Sequence, residues 1–262
     1  VYNNEMYHSF MHHGSFSDTD KDICLKKISE RYNKAADFIE NADMFLITFG
    51  SAYVYRLKPA VYKDKYEIVG NCHKFPPEMF ERTRLSVEEI VEEWRSLIML
   101  LKAVNPDVKF IFTVSPIRHW RDGAHENQIS KSILHLAIDR LISFFGDDLQ
   151  YFPAYEIMID ELRDYRFYED DLNHPTSFAV DYIWKLFSKA FFSDATISIN
   201  KEWSQIRKSI NHKPLFPATN SYRNFLKQTV RSLNNFALKY PFISCENEID
   251  QISFILKSQD RD

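Results

Sequence analysis

The sequence has few glycines and cysteines, no long apolar run and no cluster of basic residues. Only 5 of its 262 residues are glycine, against 22 Phe and 14 Tyr, which argues against a disordered chain and against a repeat array. No apolar stretch approaches the roughly 20 residues of a membrane-spanning helix. With a net charge of −4, the chain offers no basic surface for nucleic acid or for an anionic membrane. Its 45% hydrophobic content suffices for one sizeable core, or one domain with an appendage.

The three cysteines, Cys24, Cys72 and Cys245, are odd in number and far apart. They form no C-x-x-C pair, so they favour a reducing compartment such as the cytoplasm over a disulfide framework. No signal peptide stands at the start of the chain. Because the first residue is Val1 and not Met, we expect a fragment, and an N-terminal address could precede it. The sequence therefore does not decide the cellular compartment.

Apolar runs alternate with amphipathic stretches, a pattern that predicts an α/β fold with an open parallel sheet between helices. Three strands are expected, the first of them buried on both faces: MFLITFG (44–50), VKFIFTVS (108–115) and LQYFPAY (149–155). Between the first two, residues 51–84 look irregular, apart from a hairpin around residues 62–69.

Helical spacing and capping signals predict the helices. They are expected over residues 20–40, from a capping box at Ser86–Glu89 to about Val104, over residues 128–145 up to Gly146, and from Pro175 to about Phe192. The first helix has no strand before it, so we expect the first strand of the sheet to be missing. Residues 193–262 are polar, with helical spacing of apolar positions. We therefore predict an α/β domain over residues 1–192 and one or two appended helices over residues 193–262.

In open parallel sheets, sites form at the carboxyl ends of the strands. Gly50 follows the first predicted strand, Ser115 follows the second, and His174 follows the third after one short helix. Asn71 lies in the long loop after the first strand. We therefore expect these residues to face one rim of the sheet.

Asp171 and His174 suit an acid–base pair. The spacing lets Asp171 reach one ring nitrogen of His174 and fix its tautomer, which leaves the other nitrogen as a base. The side-chain amide of Asn71 and a backbone N–H near Gly50 could stabilise an oxyanion. The alternatives are a histidine that only caps or solvates the following helix and an asparagine that only shapes a turn.

Other polar residues give weaker signals. Arg118 and His119 could bind a carboxylate or phosphate, although an ion pair of Arg118 with Asp164 or another acid is favoured. A metal site at His12, His13 and the nearby His8 is disfavoured, because adjacent side chains diverge. The candidate nucleophiles are Ser51, Cys72 and Ser115. None lies in a G-x-S-x-G motif, so these residues provide no convincing partner for His174.

Taken together, these motifs resemble the GSCFA domain, a branch of the SGNH (GDSL-like) hydrolases. The resemblance spans roughly residues 7–190 and is carried by HSFMHHGSFS (8–17), ITFGSAYVY (47–55), GNCHKFP (70–76), TVSPIRH (113–119), SKSILHLAID (130–139) and YFPAYEIMIDELRDYRFYEDDLNHPT (151–176). The Gly-Ser-Cys-Phe-Ala motif for which the family is named, and whose Ser corresponds to the nucleophile, does not occur here. The resemblance therefore implies a member that lacks its first strand and its nucleophile.

The resemblance also implies roles. Asp171 and His174 correspond to the acid and the base, and Gly50 and Asn71 to the oxyanion hole. The implied reaction is ester hydrolysis or acyl transfer on a small molecule or an acylated glycan, without a metal or cofactor, and this chain alone is expected to be inactive. Two other hypotheses stay open: a binding or structural domain that keeps the fold, and a metal-dependent hydrolase built on the N-terminal histidines. The sequence does not give the oligomeric state.

Overall fold

The computed structural model describes residues 1–58 and 68–258. The strands are β1 (Tyr2–Asn3), β2 (Met6–Tyr7), β3 (Met44–Phe49), β4 (Tyr53–Leu57), β5 (Ile68–Val69), β6 (Phe80–Arg84), β7 (Lys109–Val114) and β8 (Leu149–Phe152). The helices are α1 (Lys21–Glu40), α2 (Val87–Val104), α3 (Ala124–Phe145), α4 (Ala154–Glu156), α5 (Ser177–Phe191), α6 (Asp194–Ile210), α7 (Asn220–Lys239) and α8 (Glu246–Ser258). The chain forms two compact units, Val1–Ile183 and Trp184–Asp262, and α5 runs across the division.

The first unit is built on a parallel sheet with the strand order β3-β7-β8. The central strand β7 is the most buried, because it is paired on both edges and packs against α2 and α3. Phe110 and Phe112 are completely buried there, together with Ile98 of α2. The predicted α/β fold, a parallel sheet flanked by helices with a helical C-terminal region, is confirmed. A further strand before Val1 stays a prediction.

The prediction that the first strand is buried on both faces is wrong. Met44 and Leu46 of β3 are 42% and 60% exposed, whereas Phe49 at the end of the strand is buried. No strand of the described chain pairs with the second edge of β3. A continuous apolar run shows that a strand is hydrophobic, but it does not show which neighbours cover each face.

A second sheet occupies the segment predicted to be irregular. β4 pairs with both β5 and β6 in antiparallel orientation, and the sheet buries Leu57, Val69 and Phe80 against Phe10. The hairpin predicted around residues 62–69 lies mostly outside the described residues. Only its last two positions are seen, as strand β5. The second sheet holds the turn after β5 beside the N-terminal segment.

The helix predictions hold to within a turn. The capping box at Ser86 and Glu89 is formed in full at the start of α2. α3 begins at Ala124 rather than at residue 128, and it ends at Phe145 with Gly146 as its cap, whose φ of 54° suits glycine. Pro175 is not the first residue of α5. Its neighbour Thr176 caps that helix, while Pro175 pairs with Tyr168.

The second unit contains the helices α6, α7 and α8, one more than the upper prediction of two. Their shared core includes Leu226, Leu233 and Phe236 of α7 and Ile252 of α8. None of the helices in the described ranges is both long and apolar enough to cross a lipid bilayer. The domain boundary after residue 192 stays a prediction.

Candidate functional site

The loop that carries His174 is closed by its own hydrogen bonds. One carboxylate oxygen of Asp171 accepts the backbone N–H groups of Asn173 and His174, both at 2.9 Å. Its other oxygen accepts Nδ1–H of the His174 ring at 2.5 Å. The loop ends at the pairing of Tyr168 with Pro175. These bonds fix the ring in the tautomer that leaves Nε2 available as a base.

The same contacts set the charge of Asp171. The hydrogen bond from His174 and the two backbone N–H groups lower the pKa of Asp171 to about 2. The carboxylate of Asp171 is therefore ionised at neutral pH and can stabilise a positive charge on the His174 ring. Leu172, between the two residues, has a φ of 57°, which is unfavourable for a leucine. The surrounding hydrogen bonds hold this strained residue in place.

Arg118 attaches this loop to the end of β7. Its backbone N–H donates to the side chain of Asn173 at 3.0 Å, and its Nη2 donates to the carbonyl oxygen of Leu172 at 2.8 Å. The guanidinium lies 4.8 Å from the ring centroids of both Trp120 and Tyr168. The predicted ion pair of Arg118 with Asp164 or another acid is not found in the described chain; the guanidinium contacts a carbonyl oxygen and two aromatic rings instead.

Gly50 stands at the carboxyl end of β3 with its amide directed at the free edge. The preceding carbonyl oxygen, that of Phe49, accepts the N–H of Ser115 at 2.8 Å and so points towards β7. In a trans peptide the N–H points opposite to the C=O, so the Gly50 N–H points away from β7. This N–H has no partner among the described residues. It can therefore donate to a group that arrives at this edge.

Two buried residues of α3 support the turn after β3. The ammonium group of Lys131 donates to the carbonyl oxygens of Gly50 and Ser115, each at 2.7 Å. The hydroxyl of Ser130 accepts the N–H of Ala52 at 2.8 Å. Lys131 is completely buried, and burial lowers its pKa to about 8.

Sequence reasoning missed both of these residues. The available signal was the spacing of Lys131 with Leu134, Ile138 and Leu141, which places the lysine on the buried stripe of α3. Ser130 lies beside this stripe and is also buried.

His119 lies beside Gly50. A Cβ atom added to Gly50 would lie 3.9 Å from Nε2 of His119, which is ordinary contact distance. The backbone N–H of His119 donates to the side chain of the buried Asn127 at 2.9 Å. The loops after β3 and β7 and the loop of His174 therefore meet at one end of the sheet, through Lys131, His119 and Arg118.

Asn71 lies in a different set of contacts. Its backbone N–H donates to Phe10, and its side-chain oxygen accepts the N–H of His73 at 2.9 Å. It lines a cavity of about 290 Å³ with Met6, His8, His13, Gly14, Ser17, His73 and Lys74. No contact in the described chain joins Asn71 to Gly50 or His174. Arg121, in the loop after β7, lies near the next residue, Cys72, and its positive charge opposes the rise in the pKa of Cys72 that burial causes. The cleft shared by Asn71 and His174 stays a prediction.

The three candidate nucleophiles are engaged elsewhere. Ser51 and Ser115 accept backbone N–H groups of their own turns, at 3.1 and 3.3 Å. Burial raises the pKa of Cys72, which makes its thiolate less available. No hydroxyl or thiol of the described residues contacts Nε2 of His174. None of these three side chains is therefore placed to give its proton to His174.

The N-terminal histidines do not form a cluster of metal ligands. Nδ1 of His8 bonds to Ser17, that of His12 bonds to Ser9, and that of His13 bonds to Ser15. The described chain contains no group of three or more His, Cys, Asp or Glu side chains arranged to hold a metal.

Residues 1–187 match the sequence model of the GSCFA family. The chain belongs to the GSCFA family. Residues 203–257, from the middle of α6 to the last turn of α8, match a second model, that of the GSCFA domain protein C-terminal domain. No curated protein and no solved structure matches the chain. The match to the family gives no reaction or substrate for the site, whose chemistry follows from its geometry alone.

Proposed function

We propose that this GSCFA protein is a serine acyl hydrolase of the SGNH (GDSL-like) class, in which His174 is the general base and Asp171 holds its tautomer. The observation that carries the proposal is the bond from Nδ1 of His174 to Asp171, which leaves Nε2 open. This pair lies in a loop attached to the end of the sheet that also bears the N–H of Gly50, which has no partner among the described residues. A base, its orienting carboxylate and an oxyanion donor are the parts that acyl transfer requires.

The proposal assigns the attacking hydroxyl to a segment outside these 262 residues. Two features support this assignment: the second edge of β3 has no partner in the described chain, and the Gly50 N–H points to that edge. The carboxyl ends of parallel strands meet at one rim of a sheet, so a strand added there in parallel would end beside Gly50. A serine at its end would be close to the oxyanion donor. The 262-residue chain by itself is then expected to be inactive.

The reaction would proceed in two halves. The serine oxygen attacks the ester carbonyl while Nε2 of His174 accepts the serine proton. The N–H of Gly50, together with the Asn71 amide, stabilises the oxyanion, and His174 then protonates the departing alkoxide. Water then attacks the carbonyl of the acyl-serine and gives its proton to His174, which passes it to the departing serine oxygen as the acid is released. Asp171 stays ionised throughout because of its low pKa and stabilises the imidazolium. An acylated glycan is the proposed substrate class, by kinship of fold alone.

Hydrolysis of short-chain aryl esters tests the proposal. It requires a protein that includes the segment preceding Val1, compared with its His174→Ala and Asp171→Asn variants. We expect the His174 variant to lose about 10²–10⁴-fold in kcat, as for loss of a general base. His212→Ala, a histidine of the second unit, is the matched control and should retain the activity. Equal rates in the parent and the His174→Ala protein would refute the proposal, as would a lack of labelling by a fluorophosphonate.

A non-catalytic binding domain is the second candidate. It is favoured by the exposure of the pair, since the side chains of His174 and Asp171 are 57% and 49% exposed. Absence of turnover and of serine labelling would support it. In either case we propose that residues 1–192 form the hydrolase-like domain and residues 193–262 a helical extension.

A further inference from the structure

Lys131 is an unusual residue for its place in the fold. Among the described residues it is the only charged side chain that is completely buried. Its ammonium has no carboxylate partner there and donates instead to the carbonyl oxygens of Gly50 and Ser115, which end the neighbouring strands β3 and β7. Burial of an ammonium without a counter-ion is unfavourable, so a helix would normally carry an apolar residue at this position.

We propose that Lys131 is a positioning residue of the site: its ammonium holds the Gly50–Ser51 peptide in the orientation in which the backbone N–H groups face the substrate oxygen, and loss of its charge weakens this hold, because a neutral amine keeps two N–H donors but forms weaker hydrogen bonds than an ammonium. The catalytic part of this inference rests on the proposed function. The structural part, the dependence of the strand-end peptide on the charge of Lys131, does not.

The geometry of the peptide gives the reason. The C=O of Gly50 points at Lys131, so the N–H of Ser51, in the same planar peptide, must point away from α3. This N–H and that of Gly50 have no partner among the described residues. No backbone ladder holds the Gly50–Ser51 peptide, because β3 ends at Phe49. Within the described chain, the bond from Lys131 is therefore the only hydrogen bond that this peptide group itself makes, while Ser130 holds the next peptide through the N–H of Ala52.

The surroundings of Lys131 leave few other groups that could titrate with the same effect. From α4, the ring centroid of Tyr155 lies 5.7 Å from the ammonium, and burial raises the pKa of Tyr155, which keeps it neutral. From the loop after β7, His119 approaches Gly50. The neighbouring polar residues of α3 itself, Asn127 and Ser130, are uncharged. Since burial lowers the pKa of Lys131 to about 8, its ammonium is lost in mildly alkaline solution.

Carbonyl ¹³C spectroscopy of the 262-residue chain tests the structural part directly. The sequence has only 5 glycines, so [1-¹³C]glycine labelling gives few signals, and the Gly50 signal reports on the very oxygen that Lys131 contacts. Gly50→Ala identifies this signal, because the added Cβ meets only ordinary contact distances. We expect the Gly50 signal to titrate with a midpoint near pH 8 and the other glycine signals to stay still.

Three variants separate the possible causes of such a titration. It should vanish in Lys131→Met and in Lys131→Arg, whose guanidinium stays charged, and persist in His119→Gln. A Gly50 signal that does not move between pH 7 and 9.5 in the parent chain overturns the inference, and this requires no variant to fold. A titration that persists unchanged in Lys131→Arg overturns it as well.

Ester hydrolysis by the protein that includes the preceding segment tests the catalytic part. We expect kcat to fall above about pH 8 in the parent, with KM little changed, and this alkaline fall to disappear in Lys131→Arg. Lys131→Met should lose about tenfold or more in kcat at neutral pH, as expected for a misdirected oxyanion donor. A Gly50 titration without any esterase activity would overturn the proposed function but support the role of Lys131. Esterase activity without a Gly50 titration would support the proposed function but overturn the role of Lys131.

Discussion

Replacement of Lys131 by methionine should change how the stability of the first unit depends on pH. An exposed lysine has a pKa of 10.5, whereas burial lowers that of Lys131 to about 8. Below about pH 8 both the folded and the unfolded chain hold the proton. Between that pH and 10.5 only the unfolded chain holds it. The free energy of unfolding therefore rises with pH in this window, because the unfolded state binds more protons.

The size of the effect follows from the two pKa values. One pKa unit corresponds to about 1.4 kcal/mol, so the complete difference between the two states is about 3 kcal/mol. From pH 7 to pH 9.5 the linkage gives a gain of about 2 kcal/mol in the free energy of unfolding. Lys131→Met should lack this gain. The carbonyls of Gly50 and Ser115 also lose their donor in this variant, a cost that opposes the gain from removing the buried charge, so the test compares the pH dependence of the two proteins and not their absolute stability.

Urea unfolding, followed by tryptophan fluorescence, measures this difference. Replacement of Trp184 and Trp203 by Phe leaves Trp94 and Trp120, which report on the unit Val1–Ile183. The pair of proteins with and without Lys131→Met is compared at pH 7 and pH 9.5. Titration of tyrosines and cysteines is common to both proteins and cancels. Parallel pH profiles would show that Lys131 is not a desolvated ammonium and would refute the reasoning.

Three further predictions concern the loop of His174 and the core. Arg118→Ala should loosen this loop, because a charged hydrogen bond to Leu172 is worth about 1.5–3 kcal/mol, and amide exchange in the loop should accelerate at least tenfold. Asp171 stabilises the fold at neutral pH because its pKa is lowered from 3.8 to about 2, and this stabilisation is lost as the pH falls through that range. Asp171→Asn should therefore lose less stability than the parent protein between these two pH values, which acid titration of the circular dichroism signal measures. Ile98→Ala should cost about 2–5 kcal/mol of unfolding free energy in urea, because Ile98 is fully buried between α2 and the sheet.

The parts of the fold that local signals determine were predictable from the sequence. The strand β7 is a run of apolar residues, and the start of α2 is set by the reciprocal bonds of Ser86 and Glu89. Each of these signals lies within one element or one turn. The Asp171 and His174 pair belongs to the same class, because three residues of a tight loop suffice to bring the carboxylate to the ring.

The second sheet could not be predicted in this way. The strand Tyr53–Leu57 mixes tyrosine and arginine, and its partner Phe80–Arg84 has a single strongly apolar residue, so neither shows a regular alternation. What stabilises them is pairing across more than twenty residues, together with Arg82, whose guanidinium lies 4.0 Å from the Tyr53 ring. Pairing of this kind is set by tertiary contacts and not by local propensity. The position of Asn71, in the turn after strand β5 of this sheet, was unpredictable for the same reason.

The buried lysine shows how a site residue can be hidden by its own residue type. A lysine on a helix is ordinarily assigned to the solvent, yet Lys131 shares the spacing of Leu134, Ile138 and Leu141, which is that of the buried face. Once buried, an ammonium must find acceptors, since it has three donors and no other way to recover its lost hydration. In an α/β unit the first turns of a helix lie beside the carboxyl end of the strand before it, where backbone carbonyls are left unpaired. A lysine on the inner stripe, two turns into such a helix, is therefore expected at the strand ends, which is also where the site of an open parallel sheet forms.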